Sequence, residues 1–156
     1  MKVLGIDPGF GRCGVAIVTK EDGKERVIYS TCIETPAGHS FPERLVQVVD
    51  VCEQLLEEHK PRGIALERLY FNTNQKTAMQ VAEVRGAIIY AAQRAGVSIS
   101  EYTPAQVKAA ITGWGRSDKQ GVARMLKTLL HIEKDIEFDD EYDAIAVGVT
   151  HLAHTR

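Results

Sequence analysis

Residues 3–18 read VLGIDPGFGRCGVAIV, and this stretch decides between two folds. It holds three glycines in the spacing Gly9-x-Gly11-x-x-Gly14, which is the spacing of a dinucleotide-binding loop. Such a loop must open a helix, because the helix N-terminus receives the pyrophosphate. Here the glycines are followed by VAIVTK, which is rich in β-branched residues and predicts a second strand. The stretch therefore predicts a β-hairpin that follows Asp7, and it argues against a Rossmann cofactor site.

The composition is typical of a globular protein. The chain has 156 residues, 44% of them hydrophobic and 26% charged, which fits one domain over residues 1–156. Its apolar runs, such as GVAIV and AIAVGVT, are too short to span a membrane, and MKVLGID is not a secretory signal. Three cysteines without a CxxC pair argue against a disulfide framework. We expect a cytoplasmic protein.

Hydrophobic periodicity predicts the element order βββ-α-β-α-β-α-α-α. The predicted elements are strands over 2–7, 13–20 and RVIYSTCIET, a helix from Ser40 to about HKPRG, the strand GIALE, a helix over 75–95, the strand GVSISEY, a short helix opened by Thr103-Pro104, and helices over roughly 118–131 and 139–154. Strands that alternate with helices form parallel, right-handed crossover units. The order therefore predicts an α/β fold with a mixed five-stranded sheet flanked by helices.

Two acidic residues end apolar strands of this predicted sheet. Asp7 precedes Pro-Gly, and Glu67 closes GIALE. Each has an ordinary explanation by itself, since Asp-Pro-Gly favours a turn and a buried strand must meet water somewhere. The two strands are predicted to be parallel, however, so the two carboxyl groups should lie at the same edge of the sheet. Ligands gather at this edge of α/β sheets.

A second group of acids opens the last predicted helix, in DDEYDAIAVGVTH. Asp140 and Asp143 are three residues apart and therefore share a helix face. Capping and the helix dipole explain one or two of these acids but not all of them. Carboxylates that converge from three segments repel one another unless a cation neutralises them, and hard oxygen ligands suit Mg²⁺ or Mn²⁺. The pattern predicts a two-metal phosphodiesterase site. Glu101 also ends a strand, and we interpret it as surface or structural.

Four segments together resemble the RuvC family of Holliday junction resolvases: GIDPGFGRCGVAIV, IALERLYFNTNQKTAMQVAEVRGAI, YTPAQVKAAITGWGRSDKQGVARML and DDEYDAIAVGVTH. The resemblance implies a ribonuclease H-like fold, a homodimer, metal-dependent nicking of four-way junction DNA in recombination and repair, and RuvA and RuvB as partners. It also implies catalytic, metal-binding roles for Asp7, Glu67, Asp140 and Asp143. Some family members have His at the position of Asp140.

The charge balance gives little sign of a DNA-binding protein. The net charge is −2, from 19 Lys and Arg against 21 Asp and Glu. If four carboxylates bind metal, the remainder is 19 − 17, or +2. The basic residues are concentrated between 108 and 127, where they form either a solvated face or a phosphate-binding one. The resemblance favours phosphate binding, and the candidates in this stretch are Lys108, Arg116 and Lys119.

Besides the acids and the basic stretch, the sequence offers two further candidates for DNA contact and three residues expected to have none. Tyr70 follows Glu67 in a predicted loop, and its match to the family implies stacking on an unpaired base. Arg12 either contacts backbone phosphate or is an ordinary surface arginine. We expect Trp114 to pack, and we expect His151 and His154 to form the exposed end of the last helix rather than a metal site.

Three other functions compete with a resolvase. A ribonuclease acting on RNA–DNA hybrids would share the same metal chemistry, so the acids do not exclude it. An actin-like sugar kinase or ATPase would need a second lobe, for which 156 residues are too few. A junction-binding protein without catalysis would not need the intact acid set.

Overall fold

The computed structural model describes residues 1–68 and 75–155, and it confirms the predicted order of elements. Every predicted helix and strand is present, with bounds that differ by a few residues at most. The elements are β1 Lys2–Asp7, β2 Arg12–Glu21, β3 Lys24–Glu34, α1 Phe41–His59, β4 Gly63–Glu67, α2 Gln75–Arg94, β5 Ser98–Tyr102, α3 Pro104–Thr112, α4 Lys119–Leu130 and α5 Asp139–His154.

The five strands form one mixed sheet in the order β3-β2-β1-β4-β5. The first three strands are antiparallel neighbours, while β4 and β5 continue the sheet in parallel with β1. No helix follows the glycines after β1, because the chain turns directly into β2. The prediction that a second strand, and not a helix, follows these glycines is therefore confirmed.

The sheet is covered on both faces by apolar helix surfaces. Alternation along β1 sends Leu4 and Ile6 toward the core shared with α1 and α2, whereas Val3 packs in the core shared with α3, α4 and α5. The same alternation holds in β4, where Ile64 and Leu66 face α1 and α2 while Ala65 faces α5. Each face thus receives every second residue of the central strands.

Helix α5 lies unusually close to the sheet because glycines leave room for its backbone. A Cβ atom on Gly14 would lie 1.8 Å from the carbonyl oxygen of Asp140, and one on Gly5 would lie 2.1 Å from that of Ala144. No side chain fits in these spaces. The third glycine of the motif that resembles a cofactor loop therefore serves helix packing, since it seats the first turn of α5 on β2.

Two expectations about single residues are wrong. His151 is not at an exposed helix end but is buried, because α5 continues to pack on the sheet through its last turn, and it forms a hydrogen bond with the hydroxyl of Tyr102. Trp114 does not pack, since it lies in the α3–α4 loop with 62% of its surface exposed. Among the described residues, no helix is both long and apolar enough to cross a membrane.

Candidate active site

The alternation of the strands brings the two strand-end acids together. Asp7 shares its face of β1 with Gly5, and Glu67 shares its face of β4 with Ala65; this is the face that α5 covers. The register pairs Gly5 with Ala65 and Ile6 with Leu66, which places the next residues of the two strands side by side. The predicted meeting of Asp7 and Glu67 at one sheet edge therefore has a simple geometric cause.

The start of α5 adds the third carboxylate to this edge. Asp143 lines the same cleft as Asp7 and Glu67. Glu141 anchors this part of the helix. It is buried, and it accepts hydrogen bonds from the hydroxyl of Ser30 at 2.5 Å and from the ammonium of Lys134 at 2.7 Å. Glu141 thus ties the start of α5 to β3, and it explains one of the acids that capping could not.

The cleft between the sheet edge, α3, α4 and α5 has a volume of about 420 Å³. Three acidic, three basic and four apolar side chains line it. The lining residues are Asp7, Pro8, Glu67, Arg68, Pro104, Val107, Lys108, Lys119, Val122 and Asp143. The lining residues come from the ends of β1 and β4 and from α3, α4 and α5, so the site exists only once the chain has folded.

Burial and mutual repulsion raise the pKa values of the three acids. The pKa of Asp7 is raised well above its usual range, first by burial and then by the negative charges of Asp143, Glu67 and Asp140. Burial also raises the pKa values of Glu67 and Asp143, although Lys119 opposes the rise at both. A carboxylate cluster of this kind is energetically costly by itself, and a bound cation would relieve the cost.

Lys119 is the cation closest to this cluster within the described chain. Its Nζ lies 3.2 Å from Oδ2 of Asp143. Burial alone would lower the pKa of Lys119, but Asp143 and the neighbouring acids outweigh burial and raise it. Lys119 starts α4, whose N-cap is the side chain of Asp118. The helix start therefore places an ammonium group, which is charged at neutral pH, against the acids.

The fourth predicted acid stands slightly apart. Asp140 forms an ion pair with Arg12, with 3.4 Å between its Oδ2 and Nε of Arg12, and the Arg12 guanidinium also lies over the ring of Phe138. Asp140 is still close enough to contribute to the raised pKa of Asp7. The structure thus brings Asp7, Glu67 and Asp143 into one cleft and holds Asp140 at its side.

The predicted DNA-contacting residues divide into three groups. Lys108 and Lys119 line the cleft itself. Arg116 is exposed in the loop before α4, and Arg12 is more than half exposed beside Asp140. Tyr70 lies outside the described residues.

Arg68 was not among the residues predicted from the sequence, yet it lines the cleft directly after Glu67. Its backbone N–H donates to the carbonyl of Tyr102 at 2.8 Å, and its Nε lies 3.7 Å from Oε2 of Glu101. The other carboxylate oxygen of Glu101 pairs with Arg85 of α2, whose pKa is lowered by burial and then by Arg68. The interpretation of Glu101 as structural agrees with this position. The sequence feature that could have identified Arg68 is its position directly after the strand-end acid Glu67.

The acids of the cleft fit a divalent cation by their chemistry. Mg²⁺ is commonly held by one or two carboxylates together with waters and substrate phosphate, so a closed protein cage is not required. Within residues 1–68 and 75–155, no three His, Cys, Asp or Glu side chains are arranged to hold an ion as they stand. Lys119 supplies the positive charge that Asp143 contacts in this conformation.

The five-stranded sheet, its order and the strand-end acids define a ribonuclease H-like nuclease. Comparisons with known proteins agree. The sequence model of the family described as "Crossover junction endodeoxyribonuclease RuvC" matches residues 3–151. The curated RuvC of Brevibacillus brevis is 42% identical over 151 residues, which cover 97% of this chain and 91% of that protein.

Solved structures give the same result. The structure of Thermus thermophilus RuvC has a TM-score of 0.89 at 30% identity, covering 97% of this chain and 93% of that one. T. thermophilus RuvC in complex with a Holliday junction substrate has a TM-score of 0.91, also at 30% identity, covering 99% and 94%. The chain belongs to the RuvC family of crossover junction endodeoxyribonucleases. The predictions of fold, family and nuclease activity are confirmed.

Proposed function

We propose that this protein cuts four-way DNA junctions by paired nicks and that Asp7, Glu67, Asp140 and Asp143 are its catalytic acids. The observation that carries the proposal is the set of three carboxylates with raised pKa values in one cleft, which is also lined by Lys108, Lys119 and Arg68. The negative groups suit a cation, and the positive groups suit a phosphate backbone.

The acids would hold two divalent ions, Mg²⁺ or Mn²⁺, which when bound supply an activated water and stabilise the leaving oxygen. The protein's own contribution is positioning. Strands β1 and β4 fix Asp7 and Glu67, while Glu141 fixes the helix turn that carries Asp140 and Asp143. Pro8, Pro104, Val107 and Val122 form the apolar part of the cleft walls.

Lys119 has two roles in this proposal. In the free protein its ammonium group neutralises Asp143. Once Asp143 has another cationic partner, the same ammonium group is free to bind a phosphate oxygen of the substrate. Lys108 is also close enough to lower the pKa of Glu67, which places its charge at the same edge. Lys108, Lys119 and Arg68 therefore bind the phosphates that flank the cleaved bond, and Arg12 and Arg116 bind phosphates further out.

A homodimer would place two active sites on two opposing strands, because a two-fold axis matches the symmetry of the junction. Helix α2 offers a surface for this contact. Met79 and Tyr90 are 69% and 63% exposed, and their separation of 11 residues puts them on one side of the helix. Ile88 points inward instead and is buried against the sheet. The mass in solution, compared between wild type and a Met79→Glu, Tyr90→Lys variant, tests this surface.

The test of function is nicking of a synthetic mobile junction in Mg²⁺ or Mn²⁺. A linear duplex and an RNA–DNA hybrid of the same sequence serve as controls. We expect paired nicks with ligatable 5′-phosphate and 3′-hydroxyl ends in the junction alone, and their loss in Asp7→Asn. Cleavage of the hybrid instead would favour the ribonuclease. Binding without cleavage in either metal would favour a non-catalytic junction-binding protein.

Two predictions concern the cellular setting. The family resemblance implies that RuvA and RuvB supply branch migration, and co-purification with them on junction DNA would test it. The cytoplasmic location also stays a prediction, which imaging of a tagged chain would check.

A further inference from the structure

Trp114 is the chain's single tryptophan, and 62% of its surface is exposed. Tryptophan is seldom so exposed in a folded protein, since its large ring system contributes most when it is covered. An exposed aromatic ring in a defined loop is therefore a candidate contact for a ligand.

The loop that carries Trp114 is held firmly although the ring is not covered. The Trp114 N–H donates to Oγ1 of Thr112 at 3.2 Å, and the Trp114 carbonyl accepts from the Ser117 hydroxyl at 2.9 Å. The hydroxyls of Thr112 and Ser117 also bond to each other at 2.6 Å. Gly113 ends α3 with φ at 78°, a conformation suited to glycine. The backbone of Trp114 is thus fixed on both sides, while its ring stays exposed.

The same loop lies beside the catalytic cleft. A Cβ atom on Gly115 would be 3.1 Å from the carbonyl oxygen of Ala105, so the loop returns to the first turn of α3. The residue before Ala105 is Pro104, which lines the cleft. Four residues after Gly115, Lys119 contacts Asp143. Because neighbouring Cα atoms are about 3.8 Å apart, Trp114 lies within a short distance of the cleft rim.

The charges around the loop select the kind of ligand. Arg116 in the loop is exposed, and Lys119 and Lys108 line the adjoining cleft. The one acid of the loop, Asp118, is engaged at the N-terminus of α4, where it accepts from the N–H of Gly121 at 2.7 Å. A ligand that meets a flat aromatic ring among cations should carry both a π-face and negative charge. A nucleotide has both.

We propose that Trp114 stacks on a nucleotide of the DNA strand that enters the cleft, and so helps to position the cleaved phosphate. This inference rests on the proposed junction-cutting function. Stacking is tolerant of sequence because every base has a π-face. Trp114 is a binding and positioning residue here, and the carboxylates remain the catalytic groups.

The single tryptophan makes the test direct, because its fluorescence reports on residue 114 alone. Wild-type protein is titrated with junction DNA in EDTA, with binding followed independently by the anisotropy of a labelled junction. We expect Trp114 emission to be quenched along the same binding curve, and quenching by acrylamide to weaken when DNA is bound. Unchanged emission and unchanged acrylamide access at full DNA binding would overturn the inference and leave the ring for a protein partner. No DNA binding by wild type would instead refute the proposed function.

Variants complete the test. Trp114→Ala should weaken junction binding roughly 5-fold or more, within the range measured for lost base–aromatic stacking, while Trp114→Phe should retain most of the affinity. The matched control is Leu129→Ala, which removes an exposed apolar side chain at the other end of α4 and should leave binding unchanged. Equal weakening in Trp114→Ala and Leu129→Ala would contradict the inference. Thermal unfolding midpoints should be unchanged in both, which separates lost binding from lost folding.

Discussion

The two ends of α5 show how differently one helix can treat polar groups. At its start, Asp143 lies with Asp7 and Glu67 in a cleft where burial and like charge raise their pKa values. Near its end, His151 is buried, but its Nδ1 lies 2.8 Å from the Tyr102 hydroxyl and the pair is satisfied. At the first end Asp143 is paired with Lys119, but Asp7 and Glu67 have no ion pair among the described residues, and their burial as charged groups costs stability. At the second end, the buried histidine has its hydrogen-bond partner within the protein.

Removing one of the unpartnered charges should have the largest effect. Asp7→Asn should lower the nicking rate about 1000-fold, because metal assistance is worth several kcal/mol. It should also stabilise the metal-free protein on the order of 1 kcal/mol, or about 2–4 °C in Tm. Rates of junction nicking and thermal unfolding in EDTA measure the two effects. The matched control is Asp22→Asn, in the β2–β3 turn at the opposite sheet edge, where Asn tolerates the same positive φ.

The stabilisation should depend on pH in a defined direction. Since the pKa of Asp7 is raised on folding, the folded state gains from the proton at low pH and loses this gain as pH rises through the raised pKa. The advantage of Asp7→Asn should therefore be full at alkaline pH and shrink on acidification. An advantage that grew toward low pH would contradict the electrostatic account of this end of α5.

The second prediction concerns the packing of the start of α5 against the sheet. Gly14→Ala forces a methyl group against the backbone of Asp140, so the first turn of α5 must shift or the protein must loosen. We expect a loss of about 1–3 kcal/mol of stability, as for other overpacked sites, together with a large loss of nicking. Chemical denaturation and nicking assays measure both. Gly38→Ala, where the added methyl meets nothing within 4 Å, should leave both unchanged.

The third prediction compares the two ends of β4. Arg68 follows its last residue beside the acids, and Arg62 precedes its first residue at the opposite end. Arg68→Gln should reduce the slope of log affinity against log salt by about 1 per protomer, as for one lost phosphate contact. Arg62→Gln removes the same charge and should leave the slope unchanged. Equal slopes for both variants would show that Arg68 serves only Glu101.

The smallest effect is expected near the C-terminus of α5, where His151 pairs with Tyr102. Tyr102→Phe removes the hydroxyl that meets His151 and should cost about 1 kcal/mol of stability without changing junction nicking. Burial, and then His154, lower the pKa of His151, so this histidine contributes stability above its usual pKa of 6.5 that is lost as pH falls below it. Denaturation curves between pH 5 and 8 measure this loss. A nicking defect in Tyr102→Phe would contradict the view that only the start of α5 serves function.

Much of the fold and most of the site were predictable from the sequence, for local physical reasons. Periodicity of two and of 3.6 located every strand and helix. The sequence located four acids: Asp7 and Glu67 end apolar strands, and Asp140 and Asp143 lie at the start of a helix. Their relative positions were predictable because strand ends and helix starts have fixed geometry. The family resemblance then supplied the function that these patterns by themselves left open.

Tertiary structure decided what depends on neighbours distant in sequence. Gly14 reads as a cofactor-loop glycine until α5 is seen to rest on it, and His151 reads as a helix end until Tyr102 meets it. Trp114 reads as a core residue until the loop turns it outward. Composition and spacing record how a residue relates to its own segment. Burial and charge pairing are set by other segments, and only the assembled sheet and helices determine them.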